Sequence, residues 1–179
     1  MTATAKVYGE SLYELASEEK REDAIKSELC AVCDIFAGEP EYVRLLSNPA
    51  LTKEERKKAL DDAFEGKIDV YLLNFLKILT DNGTLKHLAG IYTAYTARYN
   101  ADKGILPVEC VSAVALSESE RAGLVAAIAK KTGKRVVLTE KIDPTLIGGV
   151  KLSYDGKLFD GTVAAKLAEI DSILKNTVL

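Results

Sequence analysis

The chain has 179 residues, enough to bury a core in one or two domains, and its 47% hydrophobic and 28% charged residues are those of a globular protein. No apolar run approaches the ~18 residues of a membrane span, and no stretch of Lys and Arg interleaved with aromatics marks a nucleic-acid binder. The net charge of −3 is uneven: residues 1–102 hold 13 Lys and Arg against 18 Asp and Glu, the rest 11 against 9.

The opening "MTATAKVYGE" has no positive segment followed by an apolar one, so a bacterial cytoplasmic chain is expected. Apolar spacing predicts a helix over residues 4–18. In it Ala5, Tyr8, Gly9, Leu12, Tyr13, Leu15 and Ala16 cover about 160° at roughly 100° per residue. A surface helix needs only about 100° of apolar stripe to seat itself, so this one has arc to spare. A second helix, 21–37, ends at Gly38-Glu39-Pro40, and a short piece, Tyr42 to Leu46, follows. Pro49 breaks the chain, and Thr52 with Glu55 three residues on forms a capping box for a helix ending at Phe64 before Gly66. The fifth helix, Ile68 to Thr80, is apolar at nine of thirteen positions, again over-wide, and stops at "DNG", where Gly83 suits a left-handed cap. Thr84 starts the sixth. Six helices with short turns predict a bundle over residues 1–104.

After Lys103-Gly104 the period changes. "LPVECVSAVAL" is β-branched and reads as a strand, and Ser117 with Glu120 caps a helix that Gly133 stops. "RVVLTEKI" is a strand. "LIGGVKLSYDGKLFDG" reads as two strands turned at Asp155-Gly156, a dipeptide that two-residue hairpins favour. "TVAAKLAEIDSILK", with Val163, Leu167, Ile170 and Leu174 on one side, closes a small α+β domain over 105–179. The expected class is α+β: a six-helix bundle, then this domain.

Candidates for chemistry are few. "GGVKLSYDGKL" fails as a P-loop: six residues separate Gly149 from Gly156, and Leu158 stands where a magnesium-binding hydroxyl is required. "YDGKLFDG" lacks the ligand spacing of a calcium loop. Asp61-Asp62 and Glu54-Glu55 lie on charged helix faces, and the single histidine, His87, sits beside Lys86 with no nucleophile near it. Cys30 and Cys33 have the spacing of a redox or zinc half-site. Leu29, Val32, Ile35 and Phe36 make that segment a helical apolar stripe, so small core or groove residues are expected instead. A thiol-redox enzyme would need the pair at a helix N-terminus. No catalytic residue, metal or cofactor emerges. If the two over-wide helices lie side by side, their spare edges form a groove for a third, amphipathic helix.

Four stretches carry a resemblance: "YGESLYELA", "SNPALTKEERKKAL", "DNGTLKHL" and "IDPTLIGGVKLSYDGKLFDGTVAAKLAEI". They resemble the delta subunit of bacterial ATP synthase, the equivalent of the mitochondrial oligomycin-sensitivity-conferring protein. The resemblance implies a non-catalytic stator subunit of the peripheral stalk. It implies an N-terminal domain that caps the α/β head, near the β subunits, and takes the N-terminal helix of an α subunit between its first and fifth helices. It further implies a C-terminal domain that binds the b subunits, so that the chain meets the cytoplasmic face of the bacterial membrane only through the complex. On that reading Tyr8, Ser11 and Leu15 with Tyr71, Asn74 and Ile78 face the α-subunit helix, while Ala5, Leu12, Ala16, Leu72 and Leu79 face the core. Gly148, Gly149, Asp160 and Gly161 belong to the family motif. Gly148-Gly149 is expected as a bulge or close approach inside a strand, and Asp160 as an acidic cap on the last helix. Where many relatives carry an arginine, a glycine and a further basic residue, this chain has Ala164, Ala165 and Ala168. The alternative is a free-standing helical adaptor that binds peptides.

Overall fold

The structure is a computed structural model and describes residues 2–48, 50–162 and 165. Most helix starts follow from side-chain caps. The Thr2 hydroxyl accepts the Ala5 N–H (3.2 Å) and opens α1 (Ala3–Glu18). After α2 (Glu22–Gly38) and α3 (Pro40–Leu46), a complete capping box begins α4 (Lys53–Phe64): Thr52 Oγ1 accepts the Glu55 N–H while Glu55 Oε2 accepts the Thr52 N–H (2.8 Å). Helix α5 spans Val70–Asp81 rather than starting at Ile68, because the Asp69 carboxylate accepts the Tyr71 N–H (2.8 Å) and fixes the cap there.

Thr84 does not start the sixth helix as expected. Its hydroxyl and its N–H both donate to the Leu79 carbonyl and so finish α5; a 3₁₀ turn, Leu85–His87, then leads into α6 (Leu88–Asp102).

Around these elements lies one core that includes Leu12, Ile25, Leu29, Leu72, Leu76 and Tyr95. Ala5, Leu12, Ala16, Leu72 and Leu79 are all buried. Helix α1 meets α6 without a spacer. A Cβ at Gly9 would lie 2.6 Å from both the Ile91 carbonyl oxygen and the Ala94 Cβ. Tyr13 stands edge-on to Tyr95 (5.5 Å) and Tyr99 (6.4 Å) along the same crossing.

The remaining elements are β1 (Ile105–Ser112), α7 (Glu118–Thr132), β2 (Arg135–Ile142), β3 (Val150–Tyr154) and β4 (Lys157–Asp160), in the sheet order β2-β1-β3-β4. β1 and β2 are parallel across α7, and β3 is antiparallel to both β1 and β4. α7 packs through Ile128 and Leu124 on Leu106, Val108 and Leu138. β1 ends at Ser112, short of the expected Leu116, where the Ser112 hydroxyl donates to the Val114 carbonyl (2.7 Å) and bends the chain away. The Asp155-Gly156 turn has positive φ at both residues (47° and 70°), as a type I′ hairpin requires. Of the closing helix, only Thr162 and Ala165 fall within the described residues; Val163, Ala164 and Ala168 lie outside them.

Two compact units divide the chain, Met1–Tyr99 and Asn100–Leu179. Within the second unit the Arg135 N–H donates to the Gly104 carbonyl (2.9 Å).

Candidate partner-binding surface

Helices α1 and α5 lie side by side and antiparallel. Near the start of α1, Tyr8 stacks edge-on against Phe75 (6.1 Å), and its hydroxyl accepts from Asn82 Nδ2 (3.0 Å) just past the end of α5. Beyond the other end of α1, Glu19 accepts a hydrogen bond from the Tyr71 hydroxyl, which holds that phenol protonated above its usual range.

Of the six residues expected at the groove edge, Tyr8 and Tyr71 make these contacts, one towards each end of the pair. Tyr8, Leu15 and Tyr71 are half-buried, while Ser11 and Asn74 are exposed. Ile78 is 51% exposed, and its α5 neighbour Val70 is 59% exposed. Two participants escape a periodicity argument. Phe75 is the ring that Tyr8 leans on, and Asn82 lies beyond the helix end, so only the folded structure brings it to Tyr8.

A polar knot fixes the start of α5. Buried Asp69 accepts from Arg21 Nη1 (2.5 Å) through Oδ2 and from the Tyr71 N–H through Oδ1, while its own N–H donates to Glu28 Oε2 (2.7 Å). The Asp69 carboxylate thus ties the start of α5 to Arg21 in the turn after α1, and the Glu28 carboxylate of α2 holds the Asp69 backbone N–H.

In the second unit, Gly148 and Gly149 precede β3 rather than lying inside it. Gly149 (φ +83°) passes so close to the Gly161–Thr162 backbone that an added Cβ would lie 2.8 Å from Thr162 Cα. The Gly161 N–H donates to the Val150 carbonyl (2.9 Å) at this crossing. The helix expected after Asp160 lies, but for Thr162 and Ala165, outside the described residues. The Asp160 carboxylate accepts the Thr162 N–H (3.0 Å) and hydroxyl (2.7 Å), which lowers its pKa, and the Thr162 hydroxyl in turn accepts the Ala165 N–H.

Comparison with known proteins now decides the family. The sequence pattern described as "ATP synthase delta (OSCP) subunit" matches residues 4–174. The chain belongs to the ATP synthase delta (OSCP) subunit family. An ATP synthase subunit delta from Desulforamulus reducens is 32% identical over 172 residues, covering 96% of this chain and 95% of its own. The Lactiplantibacillus plantarum subunit delta is 32% identical over 170 residues, covering 94% and 93%. A chain of the Toxoplasma gondii mitochondrial ATP synthase hexamer shares the fold, with a TM-score of 0.71 at 19% identity over 97% of this chain and 98% of that one. The delta (OSCP) subunit is a non-catalytic component of the peripheral stalk of the proton-transporting ATP synthase. Among the described residues, no helix is long and apolar enough to cross a membrane.

The cysteines of this delta-family chain fit that structural role. Both Cys30 and Cys33 lie inside α2, half-buried, with the Cys33 thiol near the Leu88 carbonyl (3.9 Å). Burial, helped by Cys30 and Asp34, pushes the Cys33 thiol up to about 11, the opposite of a redox thiolate. Burial also raises buried Cys110. At pH 8 a thiol reagent such as dithionitrobenzoate is expected to leave Cys33 and Cys110 unmodified in the folded protein and to titrate all three cysteines in denaturant. Rapid release of more than one equivalent from the native chain would show otherwise.

Proposed function

We propose that residues 1–104, read as a six-helix bundle, seat the N-terminal helix of an α subunit along the α1/α5 seam, close to the β subunits of the head. The contacts are Tyr8, Ser11 and Leu15 on one side and Tyr71, Asn74 and Ile78 on the other. Residues 105–179 bind the ends of the b subunits, which places the chain peripherally at the cytoplasmic face of the bacterial membrane. Gly148, Gly149, Asp160 and Gly161 shape that second unit rather than touch a partner.

The observation that carries the first assignment is Ile78. It is half exposed on a largely apolar helix, beside two tyrosines whose rings lie half-buried and whose hydroxyls meet Asn82 and Glu19. A bound amphipathic helix covers Ile78 and the open edges of Tyr8 and Leu15 without disturbing Leu12 or Leu72 beneath them.

The test compares Tyr8→Ala and Ile78→Ala with Leu12→Ala, using a synthetic peptide of the α-subunit N-terminus. The first two variants are expected to lose at least about fivefold in affinity, as central interface truncations of ~1 kcal/mol or more do, with a modest change in melting. Leu12→Ala is expected to lose mainly stability, ~2–5 kcal/mol. The reverse pattern would place the α helix on another face.

A further inference from the structure

Helices α2, α3 and α4 enclose an open cavity of about 580 Å³, on elements that the α1/α5 seam does not use. We infer that this cavity binds a lipophilic cation: an apolar body carrying one protonated amine, quaternary ammonium or phosphonium centre.

Its volume lies in the range of small-molecule sites, about 300–1,000 Å³. The walls are apolar, formed by Val32, Ile35, Tyr42, Phe64 and Ile68. Phe36 stands edge-on to Tyr42 (5.8 Å) and to Phe64 (5.9 Å), and the Tyr42 hydroxyl donates to the Ala59 carbonyl (2.8 Å). That wall is preformed, and its one hydroxyl is engaged elsewhere. Ile35 is left 46% exposed at the opening, so a ligand gains by covering it.

The sign of the charge comes from the rim. Glu28 and Glu39 border the cavity, with Lys67 as the one cation among the described residues that line it. The Lys67 ammonium donates to the Ala63 carbonyl (2.9 Å) at the end of α4 rather than pairing with either carboxylate. Glu28 spends one oxygen on the Asp69 N–H and leaves the other without a hydrogen-bond donor among the described residues. Among the described residues no Lys or Arg forms an ion pair with Glu28 or Glu39. With two carboxylates and one ammonium on its rim, none of them ion-paired among the described residues, the apolar pocket keeps a net negative mouth and favours a cation over an anion of the same shape.

Tetraphenylphosphonium and tetraphenylborate are nearly isosteric and opposite in charge, so together they separate shape from sign. Each is titrated into the full chain while the methyl resonances of Val32, Ile35 and Ile68 are followed. The phosphonium is expected to shift these methyls and to bind at least about fivefold more tightly than the borate, the scale of two partly exposed charge contacts. Glu28→Gln with Glu39→Gln should bring the two ions close to parity, while Glu14→Gln with Glu18→Gln, the same charge change on the outer face of α1, should leave the preference intact. Ile35→Trp, at an exposed position and with melting checked, should fill the cavity and weaken phosphonium binding about tenfold or more. Equal affinity for the two ions, preference for the borate, unmoved methyls, or indifference to Ile35→Trp at unchanged melting would each overturn the proposal.

Discussion

Gly9→Val is expected to lower the melting temperature of the helical unit by more than ten degrees. The α1/α6 crossing leaves no volume there: a Cβ already sits 2.6 Å from the Ile91 carbonyl oxygen and 2.9 Å from the Tyr95 nitrogen, both backbone atoms that cannot rotate aside. Overpacking a core typically costs ~1–3 kcal/mol and more where the backbone must move; each 1 kcal/mol lowers the melting temperature of a unit this size by about 4–8 °C. Gly123→Ala supplies the contrast. It lies within α7 with nothing inside 4 Å of an added Cβ, so the same kind of change should stabilise by about 0.5–1 kcal/mol through helix propensity. Thermal denaturation followed by circular dichroism reads both signs. A Gly9→Val protein that melts with the wild type would mean that the two helices are not in contact there.

Gly149→Ala is expected to cost nearly as much and to act on the second unit alone. Its φ of +83° is open to glycine and strained for alanine, and the new methyl would meet the backbone at Gly161 and Thr162. The left-handed conformation costs about 1–2 kcal/mol, and the collision adds an overpacking term of ~1–3 kcal/mol. Hydrogen exchange is the sensitive measurement. The Gly161 amide, bonded to the Val150 carbonyl, should lose protection in Gly149→Ala, while amides in α1 to α5 keep theirs. Protection unchanged at Gly161 would show that β3 and the Gly161–Thr162 segment are held together by something other than this crossing.

What the sequence made legible was local chemistry. Thr52 with Glu55, Ser117 with Glu120, Gly133 and Asp155-Gly156 each act within a few residues, and each stands where the pattern places it. Thr84 misled because a threonine hydroxyl serves either neighbouring helix; only the geometry shows it turned back to Leu79. The surplus arc of α1 was visible, but its division was not. Gly9 and Tyr13 go to α6, and Tyr8 goes to Phe75 on α5, partners more than sixty residues away that periodicity cannot name. The Asp69 knot is hidden for the same reason: Arg21 and Glu28 lie more than forty residues before Asp69, and only the fold brings the first to its carboxylate and the second to its backbone N–H. Of the seam, the edge residues follow from helical spacing, whereas the ring and amide that complete it come from tertiary contact.

The α1/α6 crossing also sets an order of events during synthesis. Gly9 is made early, whereas its contacts Ile91 and Ala94 come more than eighty residues later. At about 5–20 residues per second, the apolar arc of α1 waits on the order of 4–17 s for the helix that covers it. The arc meanwhile presents Ala5, Gly9 and Ala16 between its tyrosines and leucines rather than an unbroken β-branched run, a composition with little tendency to pair as strands. The small residues that let two helices touch in the finished subunit are thus the same ones that make the first helix safe to leave uncovered on a growing chain.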